Sequence, residues 1–222
     1  MELGDLDAKA ALAVAEGEVP TRRQQGVDRL LLLQHWADLH SEDPQARPGA
    51  VSISRGGDRL IQLGGEGTPG VQDFCLGEIA TARGTGVTAT SNALADVLDL
   101  MHRLPLTWTV CRAAAAEIWV ARRVAKLSRH LPLDYVGVVD SAIARIIARE
   151  AGGRVIEVAE AKIIEAAPGL HEQRVEEERR RRYVAFSRTD EVGLRTVIAP
   201  RASRRSGLDQ SHRGAGRRDH RT

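Results

Sequence analysis

The cysteines and histidines that could bind a metal or act as a nucleophile are few, and their spacing suits neither role. Two cysteines, Cys75 and Cys111, are too few for a disulfide framework or a four-cysteine zinc site. Cys111 falls on an apolar helix stripe, which predicts a packed thiol rather than a nucleophile. The seven histidines form no HExxH motif. The sequence therefore predicts no catalytic residue, no metal site and no cofactor.

A glycine-rich run, GGEGTPG at residues 64–70, has a composition typical of loops that bind phosphate. No Gly-Lys-Ser/Thr follows it and no strong strand precedes it, so a turn-rich connector is favoured. No GxSxG elbow or Walker motif occurs elsewhere. Neither an enzymatic activity nor a small-molecule substrate is expected of this chain.

One segment has the outline of a DNA-binding helix-turn-helix, with helices at 76–83 and 87–102 joined by Gly-Thr-Gly. A recognition helix presents its first residues to base edges. Those candidates are Thr88, Thr90, Ser91 and Asn92. Asp96 and Asp99 argue against DNA, as does a turn longer than the tight form. Two helices that simply pack together would have the same pattern, so both interpretations stay open.

Charge is concentrated at the C-terminal end. The net charge is +2, but residues 200–222 carry seven arginines and two aspartates, which leaves residues 1–199 at −3. A mildly acidic body does not attract nucleic acid by charge alone. One leucine is the only large apolar residue of this segment, which predicts a disordered basic tail.

Three interpretations of this tail compete: a nucleic-acid-binding segment, a solvated terminus, and a frame-shift product. The first would use arginines of the segment, namely Arg204, Arg205, Arg217 and Arg218. The third is favoured, because the composition changes abruptly after Ala199. The 29 arginines against 3 lysines also indicate GC-rich coding, which yields such residues when it is read out of frame.

Apolar periodicity predicts that helices position most of the candidate residues. Two N-terminal helices are expected, over 2–16 and 21–40, with Pro20 opening the second. Residues 41–72 hold three prolines and seven glycines, which predicts a long surface loop with one weak hairpin from β-like pieces at 50–54 and 60–63. Further helices are predicted near 72–83, 88–103, 107–130, 134–151 and 154–167, with Gly152-Gly153 ending the fourth of these.

A helix of different character begins at Pro168-Gly169 and contains HEQRVEEERRRR. Its glutamates precede its arginines by four residues, and each such pair stabilises a helix by about 0.2–0.5 kcal/mol. This favours a self-neutralised, solvated helix over a basic ridge that contacts phosphate. Strands at 183–187 and 194–199 then form a predicted hairpin.

The fold class is therefore mainly α: a multi-helix bundle with a Gly/Pro-rich loop, a C-terminal β-hairpin and a disordered basic tail. The predicted regions are 1–40 (N-terminal helices), 41–72 (loop), 73–199 (helical domain with charged helix and hairpin) and 200–222 (tail). No apolar run approaches the eighteen residues of a membrane helix, and the acidic N-terminus is unlike a secretory signal. A cytoplasmic protein with no membrane partner is expected, and its oligomeric state is left open.

Three stretches together resemble an actinobacterial family known as domain of unknown function 222. They are DRLIQLGGEGTPGVQDFCLGEIATARG, then ALADVLDLMHRLPLTWTVCRAAAAEIWVARRVAKLSRHLP, then YVAFSRTDEVGLRTVIA, covering about 58–199. The resemblance implies a helical domain that usually continues into an HNH nuclease. An HNH site needs an asparagine beside its histidines, and Asn92, the only asparagine, falls in the helical region.

Two hypotheses follow. The first is a catalytically inert helical domain of an HNH-type family, truncated before the nuclease. The second is a stand-alone DNA-binding or assembly module that uses the helix-turn-helix-like segment and the basic tail.

Overall fold

The computed structural model of the chain describes residues 4, 6–180, 185–186 and 194–198. The chain divides into one compact unit, Met1–Pro168, and a second, Gly169–Thr222. The described residues are mainly helical, which confirms the mainly α prediction. The helices are α1 (Ala8–Leu39), α2 (Cys75–Ala82), α3 (Val87–His102), α4 (Pro105–Arg112), α5 (Ile118–Ser128), α6 (Leu133–Ile146), α7 (Gly152–Ala166) and α8 (Pro168–Arg180). Within the described part of the chain, we find no helix with both the length and the apolar character of a membrane span.

Helix α3 lies at the centre of the first unit. Every residue from 93 to 100 is buried, including Asp96 and Asp99. α3 packs against α1, α2, α4 and α5, and α7 packs against α5 and α6. A helix covered on nearly all sides must be apolar around its circumference. The two carboxylates on α3 are therefore exceptions that need partners inside the fold.

A single helix, α1, replaces the two predicted N-terminal helices, and Pro20 lies inside it. The prediction was wrong because it placed proline in a first turn, where its missing N–H costs nothing. α1 instead begins after Asp7, whose carboxylate accepts a hydrogen bond from the Ala10 amide at 2.7 Å. The half that precedes Pro20 is mostly exposed, so water can solvate the carbonyl that lacks a donor.

The helix predicted over 107–130 is broken into α4 and α5 within a run of four alanines. Ala114 has a φ of 51°, in the left-handed region that alanine rarely adopts. Its amide donates to the Cys111 carbonyl at 2.8 Å, and the Ala115 amide donates to the Val110 carbonyl at 3.4 Å. These two bonds form a Schellman motif that ends α4. The packing of α5 against α3 and α7 thus overrides the high helix propensity of alanine.

Helices α6 and α7 correspond to the helices predicted over 134–151 and 154–167, but α6 ends five residues early, at Ile146, and α7 begins two residues early, at Gly152. Gly152 and Gly153 begin α7 rather than end α6. The reason is steric: a Cβ at Gly152 would lie 2.7 Å from the ring of Trp119 on α5. Gly152 therefore permits a close approach between α5 and α7.

The loop at 41–72 contains 3-10 turns at Pro44–Ala46 and Ile53–Arg55 and a strand, β1 (Leu60–Ile61). β1 pairs in antiparallel fashion with β2 (Val71–Gln72). The predicted strand at 60–63 is thus partly confirmed, but residues 50–54 form no strand and β2 is the actual partner.

The second unit contains most of α8 and an antiparallel pair of strands, β3 (Ala185–Phe186) and β4 (Val197–Ile198). This pair lies within the predicted hairpin. On α8, Glu176 pairs with Arg180 at 3.6 Å, which is the predicted four-residue spacing, and with Arg179 at 3.6 Å. The predicted basic tail at 200–222, with its four candidate arginines, lies outside the described residues.

Candidate nucleic-acid interface

Two helices, α2 and α3, lie where the sequence has the outline of a helix-turn-helix, and residues 83–86 join them. Gly84 has a φ of 61°, which glycine adopts without strain. Its amide donates to the Thr81 carbonyl at 3.0 Å, and the Thr85 amide donates to the Ala80 carbonyl at 2.9 Å. A second Schellman motif thus ends α2 and turns the chain into α3.

The four predicted base-contacting residues of α3 differ in exposure. Thr88 and Asn92 are exposed, whereas Ser91 is half-buried and its hydroxyl donates to the Val87 carbonyl at 2.9 Å. Thr90 is fully buried, and its hydroxyl is 2.7 Å from the hydroxyl of Thr85. Thr90 is therefore removed from the predicted surface, because its side chain faces the core of the fold.

Asn92 lies in an open cleft of about 480 Å³ between α3 and α5, which we call the α3–α5 cleft. The cations of α5 that line it are Arg122, Arg123 and Lys126. Arg123 and Lys126 are exposed. In the part of the chain that the structure describes, no carboxylate lies within the 4.0 Å of an ion pair from Arg123 or Lys126. Both cations are thus available to a ligand.

Sequence reasoning missed these three cations because it placed them within one long helix and followed only the apolar stripe. The signal was present in the segment IWVARRVAKLS. Its buried residues are Val120, Ala121, Val124, Ala125 and Ser128. The positions between them place the basic side chains on the outer face of α5.

The carboxylates of Asp96 and Asp99 are neutralised by arginines. Asp96 accepts from Arg122 at 2.8 Å and from Arg129 at 2.7 Å, and Asp99 accepts from Arg129 at 2.6 Å. Asp96 is 5% exposed and Asp99 is 1% exposed. The sequence counted both residues against DNA binding, but the charge of each is offset by arginines of the same chain.

Arg103 is a buried cation that lies beside Asp99 and also bonds to the glycine-rich run. Its guanidinium donates to the carbonyls of Leu131 at 2.7 Å and of Ser128 and Glu66 at 3.1 Å. Burial lowers the pKa of Arg103, and the charge of Asp99 opposes that shift. The Oδ2 atom of Asp99 accepts from Arg129, and its Oδ1 atom accepts from the Gly65 amide at 2.7 Å.

These contacts give the glycine-rich run a structural role. Gly65, Gly67 and Gly70 have the spacing of a dinucleotide-binding loop, but such a loop opens a helix, and here β2 follows. A Cβ at Gly65 would lie 1.8 Å from the Arg103 guanidinium. Gly65 therefore makes room for an arginine of the same chain and not for a phosphate. This agrees with a turn-rich connector.

A second cleft of about 450 Å³ lies between α1 and α5, and we call it the α1–α5 cleft. Arg22, Arg23 and Arg29 of α1 contribute to its lining. Glu117 accepts from Arg23 at 2.9 Å and from Arg22 at 3.0 Å, and these bonds lower the pKa of its carboxyl. Trp119 lines both clefts and is 56% exposed.

Both cysteines are packed in the core, as predicted for Cys111. Burial raises the pKa of Cys111 to about 12 and that of Cys75 to about 11, so both stay protonated at neutral pH. Among the described residues, no three histidine, cysteine or acidic side chains are placed to hold a metal ion. No protein-family model, curated protein or solved structure matches the chain.

Proposed function

We propose that this chain is a non-catalytic helical domain that binds DNA through the α3–α5 cleft. One observation carries the proposal: Asn92, on the exposed side of a helix-turn-helix-like segment, shares an open cleft with Arg122, Arg123 and Lys126. Contacts to phosphate position a protein on DNA, and contacts to base edges supply specificity. The cleft offers side chains of both kinds within one surface.

Charge and burial indicate which side chains would contact phosphate and which would contact base edges. Arg123 and Lys126 are exposed cations without a described carboxylate partner, so they can neutralise phosphates and release counterions. Thr88 and Asn92 are exposed polar side chains in the first two turns of α3, where a recognition helix meets base edges. Arg122 keeps its bond to Asp96 and contributes less.

The resemblance to the HNH-associated family fits this proposal, because an inert helical domain that holds DNA would serve a nuclease. We propose that the chain itself does not cleave DNA. The test is to incubate the purified protein with plasmid and Mg²⁺ or Mn²⁺. Cleavage that a chelator abolishes would contradict an inert domain.

The binding test compares two double variants that lose the same charge. Arg123→Ala/Lys126→Ala removes the exposed cations of the cleft, whereas Arg145→Ala/Arg149→Ala removes two exposed arginines that line neither cleft. We expect the first to weaken duplex binding at low salt by about tenfold or more, and the second to change it little. The measurement is fluorescence anisotropy of a labelled duplex.

Three outcomes would contradict the proposed site. Wild-type protein that binds no duplex at low salt would refute duplex binding through the α3–α5 cleft. Equal weakening by both double variants would indicate attraction by net charge without a site. Loss of binding only when the tail residues Arg204, Arg205, Arg217 and Arg218 are replaced would move the interface from the cleft to the tail.

A further inference from the structure

Trp119 is the most exposed of the three tryptophans. Trp108 is 6% exposed, and the ring of Trp36 is partly buried and donates to the Cys75 carbonyl at 3.2 Å. Trp119 has no such polar partner among the described residues and leaves 56% of its surface in solvent. The indole therefore presents a flat aromatic face to solvent beside both clefts.

The start of α7 supports one side of the Trp119 ring. Two of its atoms lie 2.7 Å from the place where a Cβ of Gly152 would be, so the ring rests directly on the start of α7. Because the ring is already seated, a flat ligand that stacks on it orders few additional degrees of freedom.

The surroundings of Trp119 are cationic on both sides. The clefts that meet at this ring are lined by six cations and two carboxylates, Asp96 and Glu117. The cations are Arg22, Arg23, Arg29, Arg122, Arg123 and Lys126. Both carboxylates are engaged by arginines, while Arg29, Arg123 and Lys126 have no described carboxylate within ion-pair distance. An apolar protein partner would gain nothing from these charges.

We propose that Trp119 stacks on an unpaired base, and that a single-stranded segment of DNA runs from the α3–α5 cleft across this ring into the α1–α5 cleft. An aromatic platform between two cationic grooves matches a strand in which phosphates and bases alternate. In a duplex the base faces are stacked inside the helix, so the platform has no partner there. The inference rests on the proposed DNA binding and names its substrate class, DNA with unpaired bases.

The experiment measures binding of a labelled oligothymidine and of a duplex of equal length by anisotropy. The proteins are wild type, Trp119→Ala, Trp119→Phe and Arg123→Ala/Lys126→Ala, each checked for folding by circular dichroism. We expect Trp119→Ala to weaken oligothymidine binding about tenfold and duplex binding less than about twofold. Trp119→Phe keeps a ring and should restore most of the affinity. Oligothymidine should quench the wild-type tryptophan fluorescence but not that of Trp119→Phe.

The outcomes separate this inference from the proposed function. If Trp119→Ala binds oligothymidine as well as wild type does, while Arg123→Ala/Lys126→Ala weakens both probes, DNA binding stands and stacking is refuted. If Trp119→Ala weakens both probes equally, the ring has no preference for unpaired bases and the inference fails. If wild-type protein binds neither probe at low salt, both proposals fail.

Discussion

Two charged regions of the first unit use the same residue types in opposite ways. The buried region joins Asp96 and Asp99 of α3 to Arg103, Arg122 and Arg129, with Asp99 1% exposed. The outer face of α5 carries exposed cations with no described carboxylate partner. Sequence position does not separate the two regions, because Arg122, which bonds to Asp96, is followed directly on α5 by the exposed Arg123.

The role of each charged side chain therefore depends on its partners rather than on its residue type. Removing one partner of a charge that is paired inside the fold leaves the others buried and uncompensated, which destabilises the fold. A charge without internal partners contributes little to stability but remains available to a ligand. Arg122 connects the regions, since it lines the α3–α5 cleft and also bonds to Asp96.

Replacing Asp99 should produce the largest effect on stability. Asp99→Ala leaves Arg103 buried without its nearest carboxylate, removes a bond to Arg129 and orphans the Gly65 amide. We expect the free energy of unfolding to fall by about 3–5 kcal/mol. Urea denaturation measures it. The control, Glu157→Ala, breaks an exposed pair with Arg154 and should cost less than about 1 kcal/mol. Equal losses would mean that burial does not distinguish the two regions.

A third buried carboxylate, Asp140, differs from Asp96 and Asp99 because its partners are backbone amides and not arginines. It accepts from Leu106 at 2.9 Å and from Thr107 at 2.8 Å, at the start of α4. We expect Asp140→Ala to cost about 2 kcal/mol, since it removes a helix cap and leaves the Thr107 amide buried without a partner. Asp134→Ala, at the exposed start of α6, should cost about 0.5 kcal/mol. Thermal unfolding that ranks the two variants in the reverse order would contradict this account.

The break between α4 and α5 sets the direction of α5 and so the position of its basic face. The backbone conformation at this break can be tested by glycine substitutions. Ala114 has a positive φ, whereas Ala113 has an ordinary φ of −77°. We expect Ala114→Gly to stabilise the protein by up to about 1 kcal/mol, because glycine adopts this conformation without strain. Ala113→Gly should destabilise it by about 0.5–1 kcal/mol. Changes of the same sign in chemical denaturation would argue against the Schellman motif.

The smallest expected effect is a dependence on pH at Glu117. Bonds from Arg23 and Arg22 lower the pKa of its carboxyl in the folded state. The stabilisation is therefore complete above the unfolded pKa of about 4.3 and is lost as pH falls through the lower folded value. Glu117→Gln should be less stable than wild type at neutral pH, and the difference should shrink in acid. A difference that persists at low pH would show that the carboxylate charge is not its source.

Much of the helical framework could be predicted, because apolar periodicity alone specifies a helix with one buried face. The stripe of α6 is an example, with Val136, Val139 and Ile143 all buried. Periodicity did not reveal the break at Ala114, where tertiary packing overrides local propensity. It also placed Pro20 at a helix start, because sequence does not show which half of α1 enters the core.

The candidate site was harder to predict than the fold. The helix-turn-helix pattern singled out Thr88 and Asn92, and the structure places both on the exposed side of α3. Thr90 was included wrongly, since the direction that a side chain faces depends on how α3 packs. Arg123 and Lys126 were missed because they come from a helix distant in sequence, and only the packing of α5 on α3 places them beside Asn92.

The salt dependence of duplex binding reports directly how many phosphates the protein contacts. Each phosphate contact contributes about 0.9 to the slope of log affinity against log salt. For Arg123→Ala/Lys126→Ala we predict a slope smaller than that of wild type by about 1.8, whereas Arg145→Ala/Arg149→Ala should leave it unchanged. Slopes that fall equally for both variants, or for neither, would contradict the assignment of phosphate contacts to the α3–α5 cleft.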